Sequence, residues 1–90
     1  MEIEFDPTKR MRTLAERGLD MARASEIFDE DHITFADDRA DYGEPRNITV
    51  GSLDGRMVVV VWTQRQDAIR VISLRKANDR EQAKYGGGLG

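Results

Sequence analysis

Cysteine is absent from this chain of 90 residues, which excludes a disulfide framework, a thiolate metal site and a cysteine nucleophile. Histidine occurs once, at His32. A histidine-rich metal centre and conventional histidine-pair acid–base chemistry therefore have no support. The acidic cluster Asp37-Asp38…Asp41 has neither the glycine nor the closing glutamate of a calcium loop. No metal and no cofactor are expected. No glycine-rich phosphate cradle precedes a helix, because the glycines fall in turns and in the tail. Long apolar runs are missing as well: the longest, Met57 to Trp62, is far short of a membrane span. The acidic start Met1-Glu2-Ile3-Glu4-Phe5-Asp6 is unlike a signal peptide. The expected setting is a reducing cytoplasm, with no membrane partner.

A hydrophobic share of 39% and a charged share of 34% suit one ordinary soluble domain rather than a disordered chain. That domain is expected over residues 1–85, with a disordered glycine-rich tail at 86–90. Domains of this size are marginally stable, which favours a stabilising partner chain. The net charge of −3 is unevenly spread. Positions 1–45 hold six basic and thirteen acidic residues, a net −7, whereas positions 46–90 hold eight basic and four acidic residues, a net +4. A basic half on an acidic whole hints at a phosphate-facing surface.

Local patterns predict an α+β fold. Ile3 and Phe5 alternate with acids as in a short edge strand. Asp6-Pro7 opens a helix whose apolar stripe is Met11, Leu14 and Ala15, and Gly18 stops it. A second short helix begins at Asp20, with Met21, Ala24, Ile27 and Phe28 on its buried side. His32–Ala36 reads as a strand, and 37–45 as a solvated acidic loop with Tyr42 as a lid. Asn47–Leu53 and Arg56–Gln64 are strands joined by the hairpin turn Asp54-Gly55. The second of these carries four consecutive valines, so both its faces should be covered. Trp62 is expected in packing. After a Gln66-Asp67 turn, Ala68–Lys76 is the last strand, and Asn78 with Glu81 opens a final helix anchored by Tyr85. The order is β-α-α-β-β-β-β-α: a meandering antiparallel sheet with helices on one face.

The chemistry that remains is arginine chemistry. Guanidinium groups bind phosphate bidentately and stay charged at any working pH. By the two-residue period, Thr63 and Arg65 share a face, as do Ser73 and Arg75 on the next strand. If the two faces coincide, hydroxyls and guanidinium groups meet, with Arg46 and Lys76 joining from strand ends. Arg70 falls on the opposite side in this count; either it is structural or strand twist brings it to the rim. The bland alternative is that these arginines are solvated, or paired with acids such as Asp67 or Glu81.

Phe5-Asp6…Lys9, Ala24…Ile27-Phe28 and Tyr42-Gly43-Glu44-Pro45-Arg46 resemble the first half of the BrnT toxin family. Gly51-Ser52-Leu53-Asp54-Gly55-Arg56, Trp62-Thr63-Gln64-Arg65, Ile69-Arg70-Val71-Ile72-Ser73 and Arg75-Lys76-Ala77 continue the likeness in order and spacing. The resemblance spans roughly residues 3 to 85. It implies a RelE-like ribonuclease fold and growth arrest by RNA cleavage. It also implies a BrnA-like antitoxin with a ribbon-helix-helix portion, through which alone the toxin would reach operator DNA. Carried over by position, Arg46, Arg65, Arg70, Arg75 and Lys76 match the family's basic residues, with Arg65 and Arg75 the first choices for catalysis and Arg46 and Lys76 beside them. Arg70, Thr63 and Ser73 are then expected to hold the substrate. One departure stands out: Glu16-Arg17-Gly18 replaces the Lys-His-Gly of many members. If that histidine moves protons, activity here is weakened; if it only ends the helix, the change is neutral.

The mechanism expected from this resemblance is metal-independent: a ribose 2′-OH attacks the adjacent phosphate while arginines stabilise the developing charge. Lys76 and His32 are the candidates for proton transfer. The alternatives are a catalytically silent antitoxin-binding protein acting in operon autoregulation, and a structural domain of unrelated family.

Overall fold

The computed structural model describes residues 1–88. Five strands form one sheet: β1 (Glu2–Glu4), β2 (Ile33–Ala36), β3 (Asn47–Leu53), β4 (Arg56–Arg65) and β5 (Ala68–Lys76). The helices are α1 (Pro7–Arg17), α2 (Ala24–Asp29) and α3 (Asp79–Tyr85). A 3-10 turn at Met21–Arg23 leads into α2, and another at Gly86–Gly88 follows α3. Of the tail expected to be disordered, 86–88 form this last turn, and 89 and 90 lie outside the described residues. No helix among them is long and apolar enough to cross a membrane.

The terminators work as their chemistry predicts. The Asp6 side chain accepts from the backbone N–H groups of Thr8 and Lys9, Pro7 starts α1, and Gly18 closes it at φ 69°. Asp54 and Gly55 make the β3–β4 turn with φ 53° and 76°, the left-handed pair that a two-residue hairpin needs. Asn78 and Glu81 form a reciprocal capping box on α3.

Two expectations about the sheet need correction. The order is β1-β5-β4-β3-β2, so β2 to β5 do meander, but β1 pairs with β5 in parallel, giving a mixed sheet. The helices also lie on both faces. Val58 and Val60 point into a core with Leu19, Met21, Ala24 and Ile27, supplied by the segment through α2. Val59 points the other way, with Val50 and Ala77, and Tyr85 of α3 covers that side. A strand with four consecutive valines cannot bury all of them under a single layer of helices.

A third correction concerns α1. Met11 and Leu14 are 65% and 41% exposed, and the only residue this helix buries is Thr13. The apolar stripe therefore faces away from the sheet. Polar links hold the helix instead: Arg10 grips Asp20 through two bonds of 2.7 and 3.0 Å, and the Arg17 guanidinium donates to the Leu74 carbonyl at 2.8 Å. The inner face needs no further apolar cover, because the residues from Leu19 to Phe28 already supply it.

α2 lies close on β3 because residue 51 is glycine. A Cβ there would meet Ile27 Cγ2 at 2.7 Å and His32 Cβ at 3.3 Å. Ile27 is wholly buried, so it has little room to give. Gly51→Ala should destabilise the fold by about 1–3 kcal/mol through overpacking. For a domain this small, each kcal/mol lowers Tm by about 4–8 °C. A thermal melt followed by circular dichroism checks this, and an unchanged Tm would show that α2 shifts freely.

Candidate functional site

The site is set by one extra residue in β5. Val59 pairs with Arg75 and Val61 with Ser73, but the next pairs are Trp62 with Val71 and Thr63 with Arg70. Ile72 has no partner of its own, so the strand bulges there and its inside–outside phase reverses. Arg70, which plain alternation sets against Ser73 and Arg75, thereby stands beside Thr63 on the same side. The buried Thr63 hydroxyl donates to the Pro45 carbonyl at 2.6 Å, and Asp37 N–H donates to the Arg46 carbonyl at 2.8 Å. These two bonds fix the backbone on either side of Arg46.

A cavity of about 190 Å³ opens at this end of the sheet. Lys9, Arg46, Arg65 and Arg70 line it, together with Asp6 and Glu44, and Val71 and Ile72 add an apolar wall. The arginines are only loosely neutralised: Arg65 lies 3.3 Å from Glu44, and Arg70 lies 3.8 Å from Glu4. Arg46 sits over the Tyr42 ring, 4.0 Å from its centroid, and its buried Nε has no hydrogen-bond partner. A buried charged donor left without an acceptor is costly, and an anion at this site would offset that cost. Neither Arg46 nor Lys9 forms an ion pair among the described residues. The Asp6 carboxyl is held below its usual range by the Lys9 and Thr8 backbone N–H groups, so it stays ionised.

A second hollow, of about 180 Å³, continues along α1. It shares Lys9 and Ile72 with the first and adds Arg12, Thr13, Glu16, Arg17 and Ser73. β1 pairs with β5 only as far as Arg70, so the edge of β5 beyond it is left to α1. Together the two hollows form one cation-rich groove between α1 and that edge.

Not every expected residue is in it. Arg46, Arg65, Arg70 and the supporting Thr63 come together, and Ser73 lines the second hollow. Arg75 and Lys76 stand at the other end of the strand pair. Arg65 is six β4 residues from Val59, the partner of Arg75, or about 20 Å at ~3.3 Å per residue. Arg75 instead makes a two-pronged pair with Glu81, at 2.7 and 2.9 Å, and Glu81 also accepts from Asn78 N–H. That carboxyl is pulled down to about 2, chiefly by the Arg75 guanidinium. Arg75 is thus the anchor of α3. Lys76 is exposed opposite Val58. His32 is exposed, bonded through Nδ1 to the Glu30 carbonyl and set edge-on to Phe28, away from the groove. Trp62 packs as expected and donates to the Thr49 hydroxyl. The loop at 37–45 is less solvated than expected, because Asp37 is buried against Arg39. Tyr42 supports Arg46 in place of capping apolar surface.

Lys9 and Arg12 are the residues that sequence reasoning missed. Their signal was helical phase: with Glu16 they recur on the side of α1 away from the Met11 stripe.

A family model described as "Ribonuclease toxin, BrnT, of type II toxin-antitoxin system" matches residues 5–81. The chain belongs to this family. The matched stretch contains every residue of the cationic groove. No curated protein matches the chain. BrnT membership makes it a ribonuclease toxin of a type II pair, and so implies an antitoxin partner.

The Arg75–Glu81 pair predicts a specific pH response. A carboxyl lowered to about 2 in the fold contributes stability above its unfolded pKa, near ~4.3, and loses it as pH falls towards 2. Glu81→Gln keeps the cap but not the charge. In urea titrations the variant should be the less stable at pH 7, and the gap should close between about pH 4.5 and 2. A gap independent of pH would show that the ion pair contributes nothing.

Proposed function

We propose that this BrnT toxin is a metal-independent endoribonuclease whose phosphodiester sits in the groove between α1 and the β5 edge. The observation that carries this reading is the convergence of Arg46, Arg65, Arg70 and Lys9 on one cavity, with the buried Arg46 Nε unpartnered. The ribose 2′-OH attacks the neighbouring phosphorus, the bond to the 5′ oxygen breaks, and a 2′,3′-cyclic phosphate and a 5′-OH result. The 2′ proton leaves as the attack proceeds, and the departing 5′ oxygen takes up a proton. Guanidinium groups lower the barrier by stabilising charge on the phosphoryl oxygens, and the Lys9 ammonium adds a further donor. Arg75 and Lys76, at the far end of β5, are set aside as catalytic groups. Ser73 remains a candidate for substrate contact further along the groove.

The RelE-like relationship, the BrnA-like antitoxin and a cytoplasmic setting belong to this reading, supported by the resemblance and by BrnT membership. The same membership favours catalysis over a silent antitoxin-binding role. Arg17 stands where many members have histidine, and it is engaged with the Leu74 carbonyl. That engagement suits a positioning role for Arg17 at the strand edge.

The test is cleavage of a mixed RNA substrate by purified protein, with growth after induction as its cellular counterpart. Arg46→Ala or Arg65→Ala should each cost on the order of 10²–10³-fold in rate, the usual effect of losing one charge-stabilising donor. Their melting temperatures should stay near that of the wild type. Arg75→Ala should do the reverse, lowering Tm with a smaller loss of rate. Cleavage should survive EDTA and weaken as salt rises. Abolition by EDTA, or full activity of Arg46→Ala and Arg65→Ala, would overturn the mechanism.

A further inference from the structure

The second hollow differs from the first in holding groups of both signs with no partners. Lys9, Arg12 and Glu16 recur on one side of α1, and Ile72 and Ser73 line the hollow from β5. The buried Thr13 and Met21 line it as well. Arg12 and Glu16 stand one helical turn apart, yet neither they nor Lys9 form an ion pair among the described residues. At the end away from Lys9, the Arg17 guanidinium bridges α1 to β5 through its bond to the Leu74 carbonyl. An RNA chain with its phosphate beside Arg46 meets a closed end there. Such an end takes a side group of the chain, not its continuation.

We propose that this hollow is a base pocket selective for guanine, taking the nucleotide next to the scissile phosphate. The proposal rests on the ribonuclease reading above and adds the choice of the bond that is cut. A second phosphate is disfavoured, because the Glu16 carboxylate would repel it. A base edge carries both donors and acceptors, as the hollow does: carboxylates only accept, whereas guanidinium and ammonium groups only donate. Guanine alone sets two adjacent donors, N1–H and the 2-amino group, beside the acceptor O6. The carboxylate takes both donors, and the Arg12 guanidinium serves O6 and N7, its usual partners on this base. Adenine and cytosine turn a bare ring nitrogen towards the carboxylate, and uracil flanks its single N–H with two carbonyls. Each sets an acceptor against Glu16. Met21 and Ile72 give the ring an apolar wall, as ligand pockets with few polar groups do.

The test uses short single-stranded RNAs that differ only in the base beside a mapped cut: guanine, inosine or adenine. Inosine keeps O6 and N1–H but lacks the 2-amino group. For the wild type, kcat/KM should fall at least about tenfold from guanine to inosine, and further to adenine, as polar groups of the pocket lose their partners. Glu16→Ala should bring the three substrates within about threefold of one another, because the carboxylate that tells them apart is gone. A general loss of folding would lower all three together and leave their ratios intact. Equal cleavage of the three by the wild type, or an undiminished guanine preference in Glu16→Ala, would overturn the proposal. The inosine comparison needs only the wild type, so it decides the matter even where the variant fails to fold. A wild type that cleaves no RNA would refute the ribonuclease reading instead. Titration with 5′-GMP and 5′-AMP then decides the pocket: GMP should bind at least about tenfold more tightly and shift the Glu16 and Ser73 amide resonances. Equal binding of the two nucleotides would refute it.

Discussion

β4 has four consecutive valines, and alternating side chains can all leave water only if both faces of the sheet are covered. The rest of the architecture follows from meeting that constraint. The stretch from Leu19 through α2 covers one face and α3 covers the other. Each cover needs a fastening of its own. α2 is seated by the missing side chain at Gly51, while Arg23 ties its N-terminus to the β3–β4 turn through Glu26 and Asp54. α3, a short helix with no fully buried residue, is fastened by Arg75 and Glu81, with Tyr85 stacked on Phe35 at 6.2 Å.

Strand β5 serves two purposes at its two ends. Near Arg75 it is structural, its guanidinium consumed by a carboxylate that also caps a helix. Near Arg70 it lines the cationic groove, among cations that have only loose partners or none. The bulge at Ile72 separates the two regimes, since without the added residue Arg70 would face away from Thr63. Bulges often re-aim a side chain in this way beside functional sites. The same irregularity brings Ile72 to the wall shared by both hollows, so the groove is continuous along the edge that β1 leaves uncovered.

α1 is the unusual element. Its polar side faces the protein and its apolar side faces out, the reverse of what a stabilising surface helix does. One ion pair, Arg10 with Asp20, and one bond to a strand carbonyl hold it in place, and partly exposed pairs are weak fastenings. The helix therefore adds less to stability than to the shape and charge of the groove, and its apolar stripe is left exposed.

Sequence alone determined the features that depend on near neighbours. The caps at Asp6, Gly18 and Asn78, the Asp54-Gly55 turn and the period-two strands are decided within a few residues. BrnT membership was legible too, because it resides in the order of short motifs. Arg46, Arg65 and Arg70 were recognisable as basic positions, but not as a group distinct from Arg75 and Lys76. Tertiary structure decided that grouping, since a one-residue bulge has no signature in the composition of Ile69-Arg70-Val71-Ile72-Ser73 and shows only in pairing with β4. It decided the parallel pairing of β1, which depends on a strand more than sixty residues away. It also turned α1 over: periodicity locates an apolar stripe on a helix, but the side it faces depends on whether the core already has a cover, and here Leu19 to Phe28 had supplied one.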